Sequence, residues 1–371
     1  MSRPLTSIAF HAGIKRKLVD LMCAVWAMSA TVNAVADTTC APRLWPKDSA
    51  IYRQDIHLSP ALAENLRAAV KSASADSPQP VRTITSAGVT NADDEGLQAS
   101  RRAFRNADSV AILALDYRIH ATNERLQQAA QYLLAWATTH VPTGQPIDET
   151  RLDGFVWAYD LLRCQLDRDT KDVVEHWLST MQTKKNNYVF GPKTEHNNHH
   201  THQLKMQLLL DRALDDQAGF AAHTAEARAH IAKNIDAASG ESLDYRERDA
   251  MHYQVYNLDA WLEIVLISGC CAHEVDAAFN FFLQHVKVDD IHHEFANSSA
   301  PIDQKREAGG FAYAKRNSSY NVGKAAHAIV SYYSLRTETP NPELWNIVTL
   351  PAQRDLRVSF ALLRRELWTQ H

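Results

Sequence analysis

From Pro60 onward, apolar residues recur at helical spacing. Leu62, Leu66, Ala69 and Val70 fall at i, i+4, i+7 and i+8, and Leu126, Ala130, Leu133, Leu134 and Ala137 do the same, which lays each set along one stripe of a helix. Alternating apolar and polar runs, the mark of half-buried strands, never exceed a few residues. Glycine and proline, 12 and 13 of 371 residues, are too scarce to interrupt helices often. The chain is therefore predicted to be all-α. Further helices are expected over 97–117, 149–165, 170–183, 198–214, 224–238, 248–267, 272–285, 320–335 and 353–368. Their connections are mostly short, so neighbours should pack as antiparallel hairpins. About ten or eleven helices in pairs suggest a toroid or solenoid of α-hairpins, although no repeat of fixed period is visible.

Two stretches break the pattern. Residues 77–96 are rich in Ser, Pro, Asn, Asp and Gly and read as a long loop; residues 289–318 are polar and irregular and carry Lys305, Arg306, Lys315 and Arg316. Both are either solvated connections or the borders of a cleft.

The N-terminus reads as a processing segment. Lys15, Arg16 and Lys17 precede a mostly apolar run from Leu18 to Val32, interrupted by Asp20, and Ala34-Val35-Ala36 is a small-x-small cleavage site. The run is too short to span a bilayer, which takes roughly 20 residues, so a signal peptide over 1–36, a single domain over 37–371 and a periplasmic or secreted product without stable membrane insertion are expected. Removing Cys23 leaves Cys40, Cys164, Cys270 and Cys271, for which three pairings are open. Hydrophobic residues at 45% and charged residues at 22% exclude disorder. A net charge of −4 gives no bulk attraction to nucleic acid, and an anionic polymer must be caught by a local basic cluster.

The chemistry-bearing residues concentrate in TEHNNHHTH at 194–202 and YRERDAMHYQVY at 245–256. In the first, Asn198 precedes an apolar periodic run and fits a helix N-cap. Four histidines within seven positions, His196, His199, His200 and His202, are ligand types for zinc, and His199 and His202 share a helical face at i, i+3. No Cys or paired carboxylate completes a recognised ligand pattern, so no metal is assigned. In the second stretch Arg246 and Tyr253 lie seven residues apart, which on a continuous helix puts them two turns apart on one face.

Asn197-Asn198-His199, followed about fifty residues later by Arg246 and then Tyr253, resembles the alginate lyase family, polysaccharide lyase family 5. The likeness extends to the segments at 97–119, 133–137 and 151–163 and to HHEFANSSAPIDQKR at 292–306. It implies an (α/α) toroid, an anionic polysaccharide substrate, no organic cofactor, and Asn198, His199, Arg246 and Tyr253 as catalytic residues. Where the alginate-specific enzymes carry a Ser-Tyr-Trp run after Asn-His, this chain has His200-Thr201-His202, a departure that bears on which polysaccharide is cut.

Such residues suit β-elimination from a uronate. A base removes the weakly acidic C5 proton while the carboxylate charge is neutralised, and an acid assists departure of the C4 oxygen. Arg246 is suited to a planar carboxylate and Asn198 can add a donor. Tyr253 is the expected proton carrier, helped by a nearby cation that favours the phenolate, either Arg246 or a protonated His199. The resemblance implies that one tyrosine serves as base and then acid when C5–H and the leaving oxygen lie on the same side; His199 either neutralises the carboxylate or, for the opposite C5 configuration, is the base. Arg101, His202, Trp157 and Arg306 are expected to bind the polymer. Two rivals stand beside this reading: a toroid glycoside hydrolase using carboxylates such as Asp153, Asp160, Glu247 and Asp249, and an exported polysaccharide-binding protein without turnover.

Overall fold

A computed structural model of the chain describes residues 40–53, 55–287, 290–336, 341–352 and 355–369; the expected signal peptide lies outside the described residues. Helices follow one another almost without interruption: α1 (Pro60–Ser74), α2 (Glu95–His120), α3 (Asn123–Thr139), the short α4 (Pro146–Glu149), α5 (Asp153–Leu162), α6 (Arg168–Asn186), α7 (Asn198–Leu214), α8 (Gln217–Asn234), α9 (Leu243–Arg248), α10 (Met251–Ser268), α11 (Ala272–Gln284), α12 (Pro301–Ala308), α13 (Ala326–Ser334), α14 (Pro342–Ala352) and α15 (Leu356–Thr369). Strand structure among the described residues is confined to two small antiparallel pairs, β1 (Val286–Lys287) with β2 (Asp290–Ile291) and β3 (His293–Glu294) with β4 (Ser318–Ser319).

Packing follows the burial of each helix. The inner helices bury residues nearly all round: in α5 every residue from Asp153 to Leu162 is buried, and α10 buries most of its length, whereas α3, α6 and α8 bury only a stripe. Helix contacts run from α2 to α5, α7, α10, α13, α15 and back to α2, a closed inner ring. Around it α1, α3, α6, α8, α11 and α14 each lie against ring members. This is the expected (α/α) toroid, closed into a full ring among the described residues. The ring is tightened where Gly154 of α5 meets α2: a Cβ there would overlap the backbone of Ala107.

The connections divide by length. Those from an inner to the next outer helix are short, two residues from α2 to α3 and from α7 to α8, three from α10 to α11. Such tight connections turn the chain back on itself. The inner helices therefore run the same way, and the longer connections leading into α2, α7, α10 and α13 gather at the end of the ring where those helices begin. The expected loop at 77–96 is one of them. It is held down, not loose: Thr85 N–H donates to Ser100 Oγ, Ala87 N–H to Asp148 Oδ1, and Ala92 N–H to the Gly309 carbonyl at 2.8 Å. The Gly309 contact is so close that a Cβ would overlap the backbone of Thr90.

Cys40 and Cys164 are disulfide-bonded, while Cys270 and Cys271 are free. No described helix is long and apolar enough to cross a membrane.

Candidate active site

Asn197, not Asn198, caps α7: its side chain accepts from the His199 N–H at 2.9 Å. That frees Asn198, the first helical residue, for another partner. Its backbone N–H and its Nδ2 both donate to the Asp244 carboxylate, the former at 2.8 Å. Asp244 is fully buried, and burial pushes its carboxyl up to about 7 against the lowering effect of the Asn198 hydrogen bonds. The histidines then separate by helical phase. His199 and His202 face the ring interior; His200 turns outward, with Nε2 at 2.8 Å from Glu226 and its ring against Phe190 and His230. Among the described residues no group of three or more His, Cys, Asp or Glu could hold a metal ion.

The second motif departs from the continuous helix expected over 248–267. Helix α9 stops at Arg248, Asp249 takes a left-handed conformation (φ 48°), Ala250 is extended, and α10 starts afresh at Met251. Aspartate tolerates that conformation through its short polar side chain. Glu294 seals the new start: its carboxylate accepts from Met251 N–H at 2.8 Å and His252 N–H at 3.0 Å. It sits where a carboxylate complements the helix dipole, and burial raises it to about 7. The break resets the phase, so seven-residue spacing no longer places Arg246 on the face of Tyr253. Arg246 is instead 39% exposed and faces Asp236 at 3.8 Å. Arg248, two residues on and therefore on nearly the opposite side of α9, lies with its guanidinium 4.0 Å over the Tyr253 ring. It is fixed by Asp303 at 2.6 Å.

Tyr253 is buried against Ala250 and Phe295, with Tyr256 and Tyr313 alongside. Its hydroxyl accepts a 2.6 Å hydrogen bond from Arg306 Nη1, while Arg306 Nε donates to the Val89 carbonyl at 3.1 Å. The two irregular stretches of the sequence thus meet at the tyrosine: 77–96 positions the arginine that 289–318 delivers on α12. Arg306 has no carboxylate partner among the described residues. Burial raises the Tyr253 phenol well above its ordinary value, outweighing the nearby cations Arg248 and Arg306. His199 goes the other way. Burial first, then Arg248 and Arg306, lowers it to about 4, and its Nδ1 is buried without a hydrogen-bond partner. Near neutral pH the cluster thus presents a neutral imidazole, a protonated phenol and a guanidinium free to bind an anion.

The remaining expected residues fall into three places. Arg101 lies over the Phe311 ring at 5.6 Å, across from Arg306 at 5.9 Å, on the same rim. His202 is buried behind His199, its Nδ1 2.7 Å from Thr150 Oγ1 and its ring 4.1 Å from that of Tyr256. Trp157 is not a sugar platform. Only 3% exposed, it packs edge-on against Trp45, beside Phe360 and under Arg364, because every face of α5 is buried. Three of the hydrolase carboxylates are committed elsewhere: Asp153 is ion-paired to Lys205 and Arg357, Asp160 accepts the backbone N–H groups of Arg43 and Leu44, and Asp249 accepts from Asn297; Glu247 is exposed. No spacing argument assigns a role to Arg248, Asp244 or Glu294, although 292–294 lies in a stretch that can border the cleft. Arg248 was visible beside Arg246 and was masked by the assumption of unbroken helix; the other two act across 46 and 43 residues of chain.

The alginate lyase family model matches residues 56–274. No curated protein matches the chain. Among solved structures, the fold is similar to an alginate lyase from Bacteroides ovatus (TM-score 0.55, 13% identity, 81% of this chain and 93% of that one). It is also similar to alginate lyase A1-III from Sphingomonas species A1 (TM-score 0.54, 13% identity, 78% and 86%) and to a variant of A1-III complexed with a tetrasaccharide (TM-score 0.53, 14% identity, 78% and 84%).

Proposed function

This chain belongs to the alginate lyase family, and we propose that it is a polysaccharide lyase that cuts a uronate polymer of the alginate kind by β-elimination between His199, Tyr253 and Arg306. The observation that carries the reading is Arg306: an arginine without a carboxylate partner among the described residues, hydrogen-bonded to the Tyr253 hydroxyl at 2.6 Å and close enough to His199 to depress its basicity.

A uronate carboxylate docks on Arg306, with the free N–H of the Asn198 amide as a further donor; the other is committed to Asp244. Neutralising that charge lets negative charge spread from C5 into the carboxylate as the proton leaves. His199 Nδ1, neutral and unpartnered, takes the C5 proton. The C4–O bond breaks as the C4–C5 double bond forms, and the Tyr253 phenol gives its proton to the departing oxygen. Arg306 then stabilises the phenolate until solvent reprotonates it, and His199 gives up the C5 proton to solvent. Arg248 holds the ring from above. A protonated His199 is not the cation that serves Tyr253, since its burial keeps it neutral; the two arginines fill that role.

Export to the periplasm or medium, which the leader-like 1–36 supports, completes the proposal, since a polymeric substrate lies outside the cell membrane. The test is replacement of Arg306 by Ala. Loss of unsaturated product together with weaker polymer binding is expected, and undiminished activity would move the carboxylate clamp elsewhere.

A further inference from the structure

A cavity of about 220 Å³ enters the ring beside this cluster. Two of its lining residues, His252 and Tyr256, bracket Tyr253 on α10, and Tyr256 packs in the same cluster as Tyr253. Its size is more than ten times the ~10–15 Å³ that one water needs on the same kind of measure, which is room for a sugar ring and not for a length of polymer. It also has a floor. Arg357 is bridged to Asp153 by two 2.9 Å contacts, Lys205 reaches the same carboxylate at 2.7 Å, and deeper still Arg364 pairs with Glu263. Asp153, Lys205, Glu263 and Arg364 are almost wholly buried and Arg357 is 14% exposed, so this floor of paired charges stops a polymer strand from passing through the ring.

The wall is equipped for one acidic sugar. His202 is 3% exposed, and with Nδ1 committed to Thr150 its Nε2 has no partner; an orphaned buried nitrogen on a cavity wall calls for a ligand atom. Lys324, on the turn before α13, lines the cavity and has no carboxylate partner among the described residues. Tyr256, its ring tilted 36° against that of His202, offers a ring face. Tyr320, Lys324 and Arg357 lie beyond residue 274, outside the stretch the family model matches, while His202 and Tyr256 lie within it.

Resting on the lyase reading, we infer that this cavity is the blind end of the cleft and holds a single terminal uronate, its carboxylate on Lys324 and a hydroxyl on His202 Nε2, so that the enzyme cuts from the chain end and releases monouronates. Cutting within a chain needs both flanks of the scissile bond to extend through an open groove. Here one flank stops after one residue.

Size-exclusion chromatography of separate polyguluronate and polymannuronate digests, with uronate and ultraviolet absorbance both read across the fractions, tests this. The inference predicts uronate in the monosaccharide fraction from the earliest times, the first of it saturated, while the new ultraviolet absorbance sits on the polymer peak, whose size scarcely moves. Early products spread over many lengths would overturn it while leaving the lyase reading intact. If no absorbing product forms with any uronate polymer, the lyase reading itself fails, and calorimetric titration of the Tyr253→Phe protein with free mannuronate then decides the cavity alone. Binding that is at least tenfold weaker in Lys324→Met, restored by Lys324→Arg and absent for neutral mannose, supports a uronate pocket. Equal binding by all variants, or none, overturns it.

Discussion

At Tyr253 the phenol sits in a buried site that holds it protonated, yet an arginine donates straight to its oxygen. That combination favours a group that gives up a proton only when a substrate brings its own charge changes into the site. Tyr253→Phe should therefore lower turnover by roughly 10²–10⁴-fold, the usual worth of a positioned proton donor. Polymer binding should be largely kept, as read by affinity electrophoresis; a near-normal rate would remove Tyr253 from the mechanism. The two neighbouring arginines give a sharper contrast. Arg248→Ala should cost at least tenfold in kcat/KM because it strips the tyrosine ring of its fixed cation, whereas Arg246→Ala, directed to Asp236 at the surface, should stay within a few-fold of the parent. Reversal of that order would restore the alignment that spacing alone suggests.

His199 sets the pH dependence. As a base it works only when neutral, and burial lowers it to about 4 from the ordinary histidine value near 6.5. The acid limb of kcat/KM should accordingly fall near pH 4, with activity lost as pH drops through that value; a limb near 6.5 would show that the acting base is a solvated histidine. The same displacement links to stability with the same sign. A histidine held neutral in the fold contributes most above its unfolded pKa, and the contribution is lost as pH falls from about 6.5 towards 4.

Among the elements, α10 carries most of the consequence, because its first turn holds Tyr253 and its start is capped by Glu294 of β3. Glu294→Gln keeps one acceptor oxygen but loses the charge that matches the helix N-terminus. It should cost about 1 kcal/mol of stability, in the range of lost helix caps, and lower kcat more than it changes KM. Helix existence was legible because periodicity is local: α7 spans the residues its pattern marks, and α11 differs by one. The break between α9 and α10 was not, because MHYQVYNL continues the apolar pattern and only the left-handed Asp249 interrupts it. The contact of Arg306 with Tyr253, 53 residues apart, rests on α12 and on the Val89 carbonyl, and no spacing rule reaches that far. Trp157 misled for a related reason: an aromatic beside polar motifs fits a sugar platform until every face of its helix proves buried. Trp157→Ala should cost about 3–5 kcal/mol of stability, while the protein that remains folded keeps its kcat.

At the scale of the molecule, the ring explains why a site of this chemistry forms at all. Inner helices running in one direction bring their starts, and the long loops before them, to one end. There Asn198 and His199, Tyr253 and Arg306 come from separate parts of the chain onto adjacent elements. The opposite end has short connections, and polar side chains there are paired with one another, as Arg43 is with Asp215 and Gln182 with Asp211 and Asp216. The interior is closed by paired charges, which makes the opening a pocket instead of a channel. The most direct measurement is the ultraviolet absorbance of the purified protein incubated separately with polymannuronate, polyguluronate and polyglucuronate, with Tyr253→Phe in parallel. A rise with at least one polymer that vanishes in the variant is predicted, and the responsive polymer names the substrate. New reducing ends without absorbance, or retention of polymer with no product, would contradict elimination and point to a hydrolase or a binding protein built on the same ring.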